Sequence, residues 1–418
     1  MKKLKFKNYP YIIKNTGYST LQITLIYPVD YKKENIFSWH LIRQIVLNTS
    51  SLYKSEEEFR QARDESLIIN FNMNSFYSFN KQFVCFNLFV PDPRKVKTFD
   101  LKKALDFFKT SIYEPNAENG RFNEDKFNRE LSYLRDNYTD RNEDYHVKVY
   151  NEFLDIFDDI GYLKENMYYN MDQIDRVNSK KLYSLYKKEI INNNPIVIVY
   201  GDASENIISY FASFLNFDGS ERVIEIIKDK YYKPFKKMKV VHEKSNNVQS
   251  FLYIGYKHKH MKKEYEDYLI LLKNILGNGT NRLIHNVLRY NHKLIYNYEI
   301  DFYPRRGILD IELAILNDKK DKALESVDEI FKSLKDKEFL QKCINNTIKD
   351  FKASYDSMTD SRTFKLEKFM DQKFDLAKSY KKLIREFENI DIDNFITFLD
   401  GLKKDTIFFK EGEFGEKM

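Results

Sequence analysis

At 418 residues, with 42% hydrophobic and 16% aromatic content, the chain is too long for one small core and too apolar to be disordered, which predicts two domains of roughly 200 residues each. Lys and Arg number 69 against 63 Asp and Glu, interleaved along the chain, so the net charge of +6 is a thin surplus that speaks against a nucleic-acid binder. Two cysteines, Cys85 and Cys343, make no disulfide framework and fit a reducing compartment.

The N-terminus, Met1 to Lys7, is basic, but no apolar run follows it, and no stretch approaches the ~20 apolar residues of a membrane span. A soluble, cytoplasmic protein is expected. Leu21, Ile23, Leu25 and Tyr27 alternate with other residues as a half-buried strand would, and Trp39 to Leu47 and Ser55 to Arg63 read as helices. Leu67 to Phe79 and Gln82 to Val90 form a strand pair ending at Pro91-Asp92-Pro93, and a helix follows from Leu101 to Ile112. Helical patterns cover Glu124 to Tyr138, Asp144 to Phe157 and Ser179 to Ile190; Pro195 to Tyr200 is then a continuous apolar strand closed by Gly201-Asp202.

From 221 to 246 the pattern weakens around Lys-rich sequence and Pro234, and an interdomain linker is predicted there, between domains at 1–220 and 247–418. The second half repeats the order of the first. A strand at Gln249 to Tyr256 and a helix at Glu264 to Leu276 precede a glycine-containing turn, strands near Tyr296 to Tyr303 and Ile308 to Leu316, and further helices from Asp321 onward. The expected fold class is α+β, built from one duplicated unit.

Several segments agree with a known family in order and spacing. Asn193 to Asp202, Gln249 to Tyr256, Leu276-Gly277-Asn278-Gly279-Thr280, and Arg289 to Tyr296 together resemble the pitrilysin (insulinase-like) zinc metallopeptidases over nearly the whole chain. The resemblance implies two homologous α/β-sandwich domains with mixed sheets and helices packed on one face. In active members an inverted H-x-x-E-H helix supplies two zinc ligands and a general base, with a further Glu ligand downstream. The matching stretch here is His40-Leu41-Ile42-Arg43-Gln44, and the downstream position falls at Asn137. Arg43 cannot accept a proton or tolerate a neighbouring dication, and Gln44 is a poor substitute for imidazole. The expectation is a degenerate zinc site, no metal on this chain, and a histidine at position 40 that is partly buried and structural. His258 and His260 share one face of a strand end but have no acidic or Cys neighbour in sequence, so they form no metal motif.

In two-chain relatives of this family, one chain carries zinc and the other contributes an Arg and a Tyr that contact substrate at that zinc. Arg289 and Tyr296 have this spacing, although the run from Arg282 to Arg289 is one residue longer than the common pattern. The resemblance implies a non-catalytic, substrate-binding subunit of a heterodimeric zinc endopeptidase, with a zinc-bearing partner chain and a peptide substrate. The alternative is a structural or accessory scaffold of the same fold with no role in proteolysis.

Overall fold

The computed structural model describes residues 2–413 apart from 15–16, 33–34, 79, 160–162, 164–170, 202–204, 227–230, 359–360, 362–364, 366–367 and 370–377. Asp202 therefore lies outside the described residues. The chain divides into two compact units, one of residues 1–140, 165–228 and 365–376, the other of residues 141–164, 229–364 and 377–418. Each unit thus takes a segment from the opposite half of the sequence.

The first unit contains β1 (Lys2–Lys7), β2 (Tyr11–Ile13), β3 (Thr20–Asp30), α1 (Ile36–Val46), α2 (Glu56–Glu65), β4 (Asn70–Ser78), β5 (Lys81–Pro91) and α3 (Leu101–Tyr113). A small ribbon of β6 (Ala117–Glu118) and β7 (Arg121–Phe122) leads into α4 (Glu124–Glu143). After α5 (Tyr145–Phe157), which belongs to the second unit, come α6 (Met171–Arg176), α7 (Ser179–Tyr186), β8 (Ile196–Tyr200), α8 (Glu205–Ala212) and β9 (Glu221–Ile226). The second unit continues with β10 (Lys239–Lys244), β11 (Ser250–His258), α9 (Tyr265–Gly277), β12 (Ile295–Tyr303), β13 (Ile308–Ile315), α10 (Lys320–Ser333), α11 (Lys337–Met358), α12 (Tyr380–Glu388), α13 (Ile392–Gly401) and β14 (Leu402–Glu411).

The duplication is explicit in the sheets. The first has strand order β2-β8-β3-β5-β4 and the second β10-β14-β11-β13-β12. In each, the first strand runs parallel to the last, and the remaining pairs are antiparallel. Segment 221–246, where a linker was expected, carries β9, which pairs with β1, and β10, which pairs with β14.

Local chemistry places the helices. Ser55 and Glu58 form a reciprocal capping box at α2, and Asp100, Asp144, Asn178, Ser379 and Asp391 each accept a backbone N–H at the start of α3, α5, α7, α12 and α13. Leu21, Ile23, Leu25 and Tyr27 of β3 face a core with Phe37, Leu41 and Ile45 of α1 and Phe108 of α3. The opposite face of that sheet, including Ile26, Cys85 and Ile198, is covered by Leu4 and Phe6 of β1 and Ile226 of β9.

In the second unit Leu252, Ile254 and Tyr256 of β11 face the main helical core, while Phe251 and Tyr253 face α5 through Phe153 and Phe157. Gly255 makes this approach possible, because a Cβ there would run into the Phe157 ring. This sheet therefore carries helices on both faces, which explains why all nine residues of β11 and all eight of β13 are buried.

One consequence is electrostatic. Glu299 pairs directly with Glu312, and Asp301 with Asp310, across β12 and β13, on the face that α5 covers. His146 of α5 meets Glu312 at 2.7 Å, and Tyr253 of β11 stands opposite Glu312. Burial, reinforced by Asp301 and Glu312, pushes the Asp310 carboxyl well above the ordinary range, and one of its oxygens has no hydrogen-bond partner. Burial also raises Glu312, against the pull of His146, and raises Asp301, with Glu299 adding repulsion. Carboxyls with raised folded-state pKa values take up protons on folding, so their contribution is fully present below about pH 4 and is lost as pH rises through the folded values. Asp310→Asn is expected to stabilise the chain at pH 8 by about 1–3 kcal/mol and to flatten the fall in stability from pH 5 to pH 8. Urea unfolding at the two pH values checks this, and equal midpoint shifts at both would contradict it.

Candidate functional site

On α1 the periodicity of 3.6 residues sorts the side chains. Phe37, Leu41, Ile42 and Ile45 are fully buried, whereas His40 and Arg43 are exposed and Gln44 is half-buried. His40 is thus not the partly buried structural histidine expected. With Ile36 and Trp39 it lines a small hollow whose other wall is Met73, Asn74 and Ser75 of β4 and Gln82 of β5. The hollow holds about 50 Å³, room for a water or two but not for a peptide residue.

β4 is the edge strand of its sheet, and Asn74 and Ser75 are exposed on it. These two residues had no signal of their own in the sequence. Only the strand order places them beside α1.

Asn137 is exposed on α4. Seven residues earlier on that helix, the Glu130 carboxylate accepts from Lys126 at 2.7 Å, and Lys126, almost fully buried, also donates to Glu56 at 2.7 Å. The Glu130 carboxylate is therefore committed to an ion-pair network. Set against the demands of zinc, the four positions offer one imidazole, a permanent cation and two neutral amides, which do not fit a dication. Among the described residues, no group of three or more His, Cys, Asp or Glu side chains is arranged to hold a metal ion.

His258 is a core residue. Its ring stacks on Phe398 at 5.4 Å, its Nδ1 accepts from the His260 amide at 2.9 Å, and burial lowers its pKa.

Arg289 and Tyr296 occupy an irregular stretch. Residues His285–Asn291 form a π-helical segment, with the His292 amide donating to the Val287 carbonyl at 3.0 Å. A π turn absorbs one extra residue in a helix, which accommodates the longer run from Arg282 to Arg289. Gly279, with φ of 60°, makes the preceding turn, and the Thr280 amide and hydroxyl both donate to the Asp350 carboxylate at 2.7 Å.

Tyr296 follows at the start of β12, again an edge strand. The register with β13 slips between Ile295 and Asn297, so Tyr296 sits on a bulge, 52% exposed. It is not a core aromatic. Arg289 is exposed; the Tyr298 hydroxyl donates to the Gly277 carbonyl at 3.1 Å, and burial raises the Tyr298 pKa while the charges of Arg282 and Arg289 oppose that rise. The structure thus presents an arginine and a bulged tyrosine to solvent from adjacent elements of one unit.

Comparison with known proteins bears on the fold. Residues 176–351 match the model of the peptidase M16 inactive domain. No curated protein sequence matches. Among solved structures, a conserved protein from Enterococcus faecalis V583 is similar at a TM-score of 0.81, with 16% identity, over 99% of this chain and 100% of that one. A peptidase M16 inactive domain from Pseudomonas fluorescens is similar at 0.70, with 13% identity, over 97% and 96%. A protease from Helicobacter pylori is similar at 0.65, with 16% identity, over 96% of each chain. The duplicated α+β fold expected from the resemblance to the pitrilysin family is borne out. Among the described residues no helix is long and apolar enough to cross a membrane.

Dialysed against about 10 μM zinc, the purified chain is expected to retain far less than one zinc per chain, because a structural or catalytic site needs three or four good donors. Metal analysis decides it, and stoichiometric retention would mean that a donor set exists which His40, Arg43, Gln44 and Asn137 do not reveal.

Proposed function

From an M16-type fold along the whole chain, and an inactive-domain match over residues 176–351, we propose that this protein is the non-catalytic, substrate-binding subunit of a heterodimeric zinc endopeptidase. Its partner is a pitrilysin-family chain with an intact zinc motif, and its substrate a peptide or small unfolded protein. The complex works in the cytoplasm, with no part for nucleic acid or membrane. The observation that supports the reading is the exposure of Tyr296 on a strand bulge and of Arg289 on the π-helical segment that precedes the same strand.

Both residue types suit the task. A guanidinium donates charge-assisted hydrogen bonds to a peptide carbonyl, and a phenol hydroxyl can donate to the oxyanion that forms when water attacks. An extended peptide would lie as an added strand along an exposed sheet edge, where backbone groups are free to pair. Hydrolysis itself comes from the partner, since His40, Arg43, Gln44 and Asn137 cannot supply a base or hold the cation.

A structural or accessory scaffold, for example in a modification or assembly complex, has no use for Arg289 or Tyr296. The two readings separate in the assembled complex. Arg289→Ala and Tyr296→Phe are each expected to lower peptide turnover by about 10- to 100-fold, as loss of a transition-state donor does, while leaving assembly intact. Co-purification with the zinc-bearing chain, followed by steady-state kinetics on a peptide pool, measures both. Unchanged turnover by both variants would favour the scaffold.

A further inference from the structure

From Tyr268 to Tyr298 the sequence contains no Asp or Glu, although 63 of the 418 residues are acidic. This stretch runs from α9 through the Gly279 turn and the π-helical segment into β12, and it carries Lys273, Arg282, Arg289 and Lys293. Elsewhere surface cations are matched, as Lys102 is with Asp106, Lys322 with Glu325 and Lys337 with Asp393. Lys273 stands over the Phe302 ring at 5.4 Å, and its charge acts on Asp301. Arg282, Arg289 and Lys293 differ: all three are exposed, and among the described residues none has an ion-pair partner. Asp350, the acid packed against the Gly279 turn, gives both carboxylate oxygens to the Thr280 amide and hydroxyl.

The fold gathers these cations. The charges of Arg282 and Arg289 both act on the Tyr298 hydroxyl, and the Leu294 amide donates to the Leu288 carbonyl at 2.7 Å, which sets Lys293 in a tight turn between Arg289 and Tyr296. Arg282 and Lys293 have φ angles of 35° and 54°, a region that among the described residues only Leu67 and Asn119 share outside glycine. Side chains with a Cβ avoid that region, so two exposed cations stand at turn positions where Gly or Asn would fit more easily. Tyr290, 77% exposed, and Tyr296 interleave with them. Like charges gathered without acids repel one another, and a partner that brings carboxylates removes the repulsion.

β12 also leaves one row of backbone N–H and C=O groups turned away from its sole strand neighbour, β13. A peptide can match those groups, and a nucleic-acid strand cannot. Glu299, exposed on the same strand, bounds the basic face to a few residues, which disfavours a uniformly charged polyanion. We propose that this face binds an extended peptide segment rich in Asp and Glu, whose carboxylates pair with Arg282, Arg289 and Lys293. As a substrate class for the endopeptidase this rests on the subunit reading above, whereas the binding itself belongs to this chain alone.

Fluorescence anisotropy of the full chain with rhodamine-labelled peptides of four Glu-Leu-Ser, Gln-Leu-Ser or Lys-Leu-Ser repeats tests it, with an oligothymidylate of the same length as the rival ligand. In about 50 mM salt the glutamate peptide is expected to bind with Kd below about 200 μM and the glutamine peptide about tenfold or more weaker, with a further loss for the glutamate peptide in about 500 mM salt. Arg282→Gln and Lys293→Asn should each weaken the glutamate peptide by about threefold or more, and Lys102→Gln, outside the face, should not. Circular-dichroism melts establish that each variant is folded. The proposal is overturned if the glutamate peptide gives no saturable binding up to about 200 μM. It is equally overturned if the glutamine peptide or the oligothymidylate binds as tightly, or if the folded double variant Arg282→Gln/Lys293→Asn binds like the parent. Peptide turnover by the assembled complex without binding of the glutamate peptide would remove this proposal alone; binding without turnover of any peptide would remove the subunit reading alone.

Discussion

Each unit depends on the insertion of its last strand into the middle of its sheet. β8 lies between β2 and β3, with Gln22 opposite Tyr200 and Ile26 opposite Ile196, and β14 lies between β10 and β11 in the same way. Closing a loop on the order of 150 residues costs about 4 kcal/mol by chain-closure scaling. The five residues of β8, Ile-Val-Ile-Val-Tyr, are all buried, and at roughly 1.5–3 kcal/mol per large apolar side chain they outweigh that cost. β14 has less apolar material, chiefly Leu402 and Ile407 to Phe409, and it also buries Asp405 and Thr406. Lys257 of β11 answers this by meeting Asp405 at 3.3 Å, while the Thr406 hydroxyl donates to Asp405 at 2.9 Å. The second sheet thus contains a buried ion pair whose partners come from neighbouring strands; loss of Lys257 would leave Asp405 without its countercharge, whereas Lys257 also meets Asp159 at 3.5 Å.

How much of this was legible follows from what a strand shows before it has neighbours. β3, β5, β8, β11 and β13 are central, and their apolar runs or alternation mark them in the sequence. β10 is lysine-rich and borders its sheet, where exposed side chains carry no hydrophobic signal, and β1 offers only Leu4 and Phe6 among its lysines. β14 follows α13 without a break, so nothing in its first half, Leu402-Lys403-Lys404-Asp405, separates it from the helix. The amphipathic pattern of α5 was readable, but which sheet its Phe153 and Phe157 would cover was not; pattern fixes a face and leaves the partner open.

The burial of the acidic face was hidden for the same reason. Glu299, Asp301, Asp310 and Glu312 alternate with Ile300, Phe302, Leu309 and Ile311, the usual mark of a strand with one wet side, and α5 then buries that side. At the candidate site, the outward direction of His40 and Arg43 was implicit in the helical period of Phe37, Leu41 and Ile45. The neighbouring Asn74 and Ser75 arrive only through strand order. Asp267, Lys378 and Glu386 meet across more than a hundred residues, and no local motif could have shown them.

The layout of α1 also separates its core residues from the positions that resemble a zinc site. Its core contacts come from Phe37, Leu41, Ile42 and Ile45, and none of them is a zinc-site position, so Arg43 and Gln44 cost the fold little. Tyr296 presents the opposite case. A bulge gives up ladder pairing, and Tyr296, 52% exposed, buries only about half of its surface, so the arrangement has a local cost that burial offsets in part.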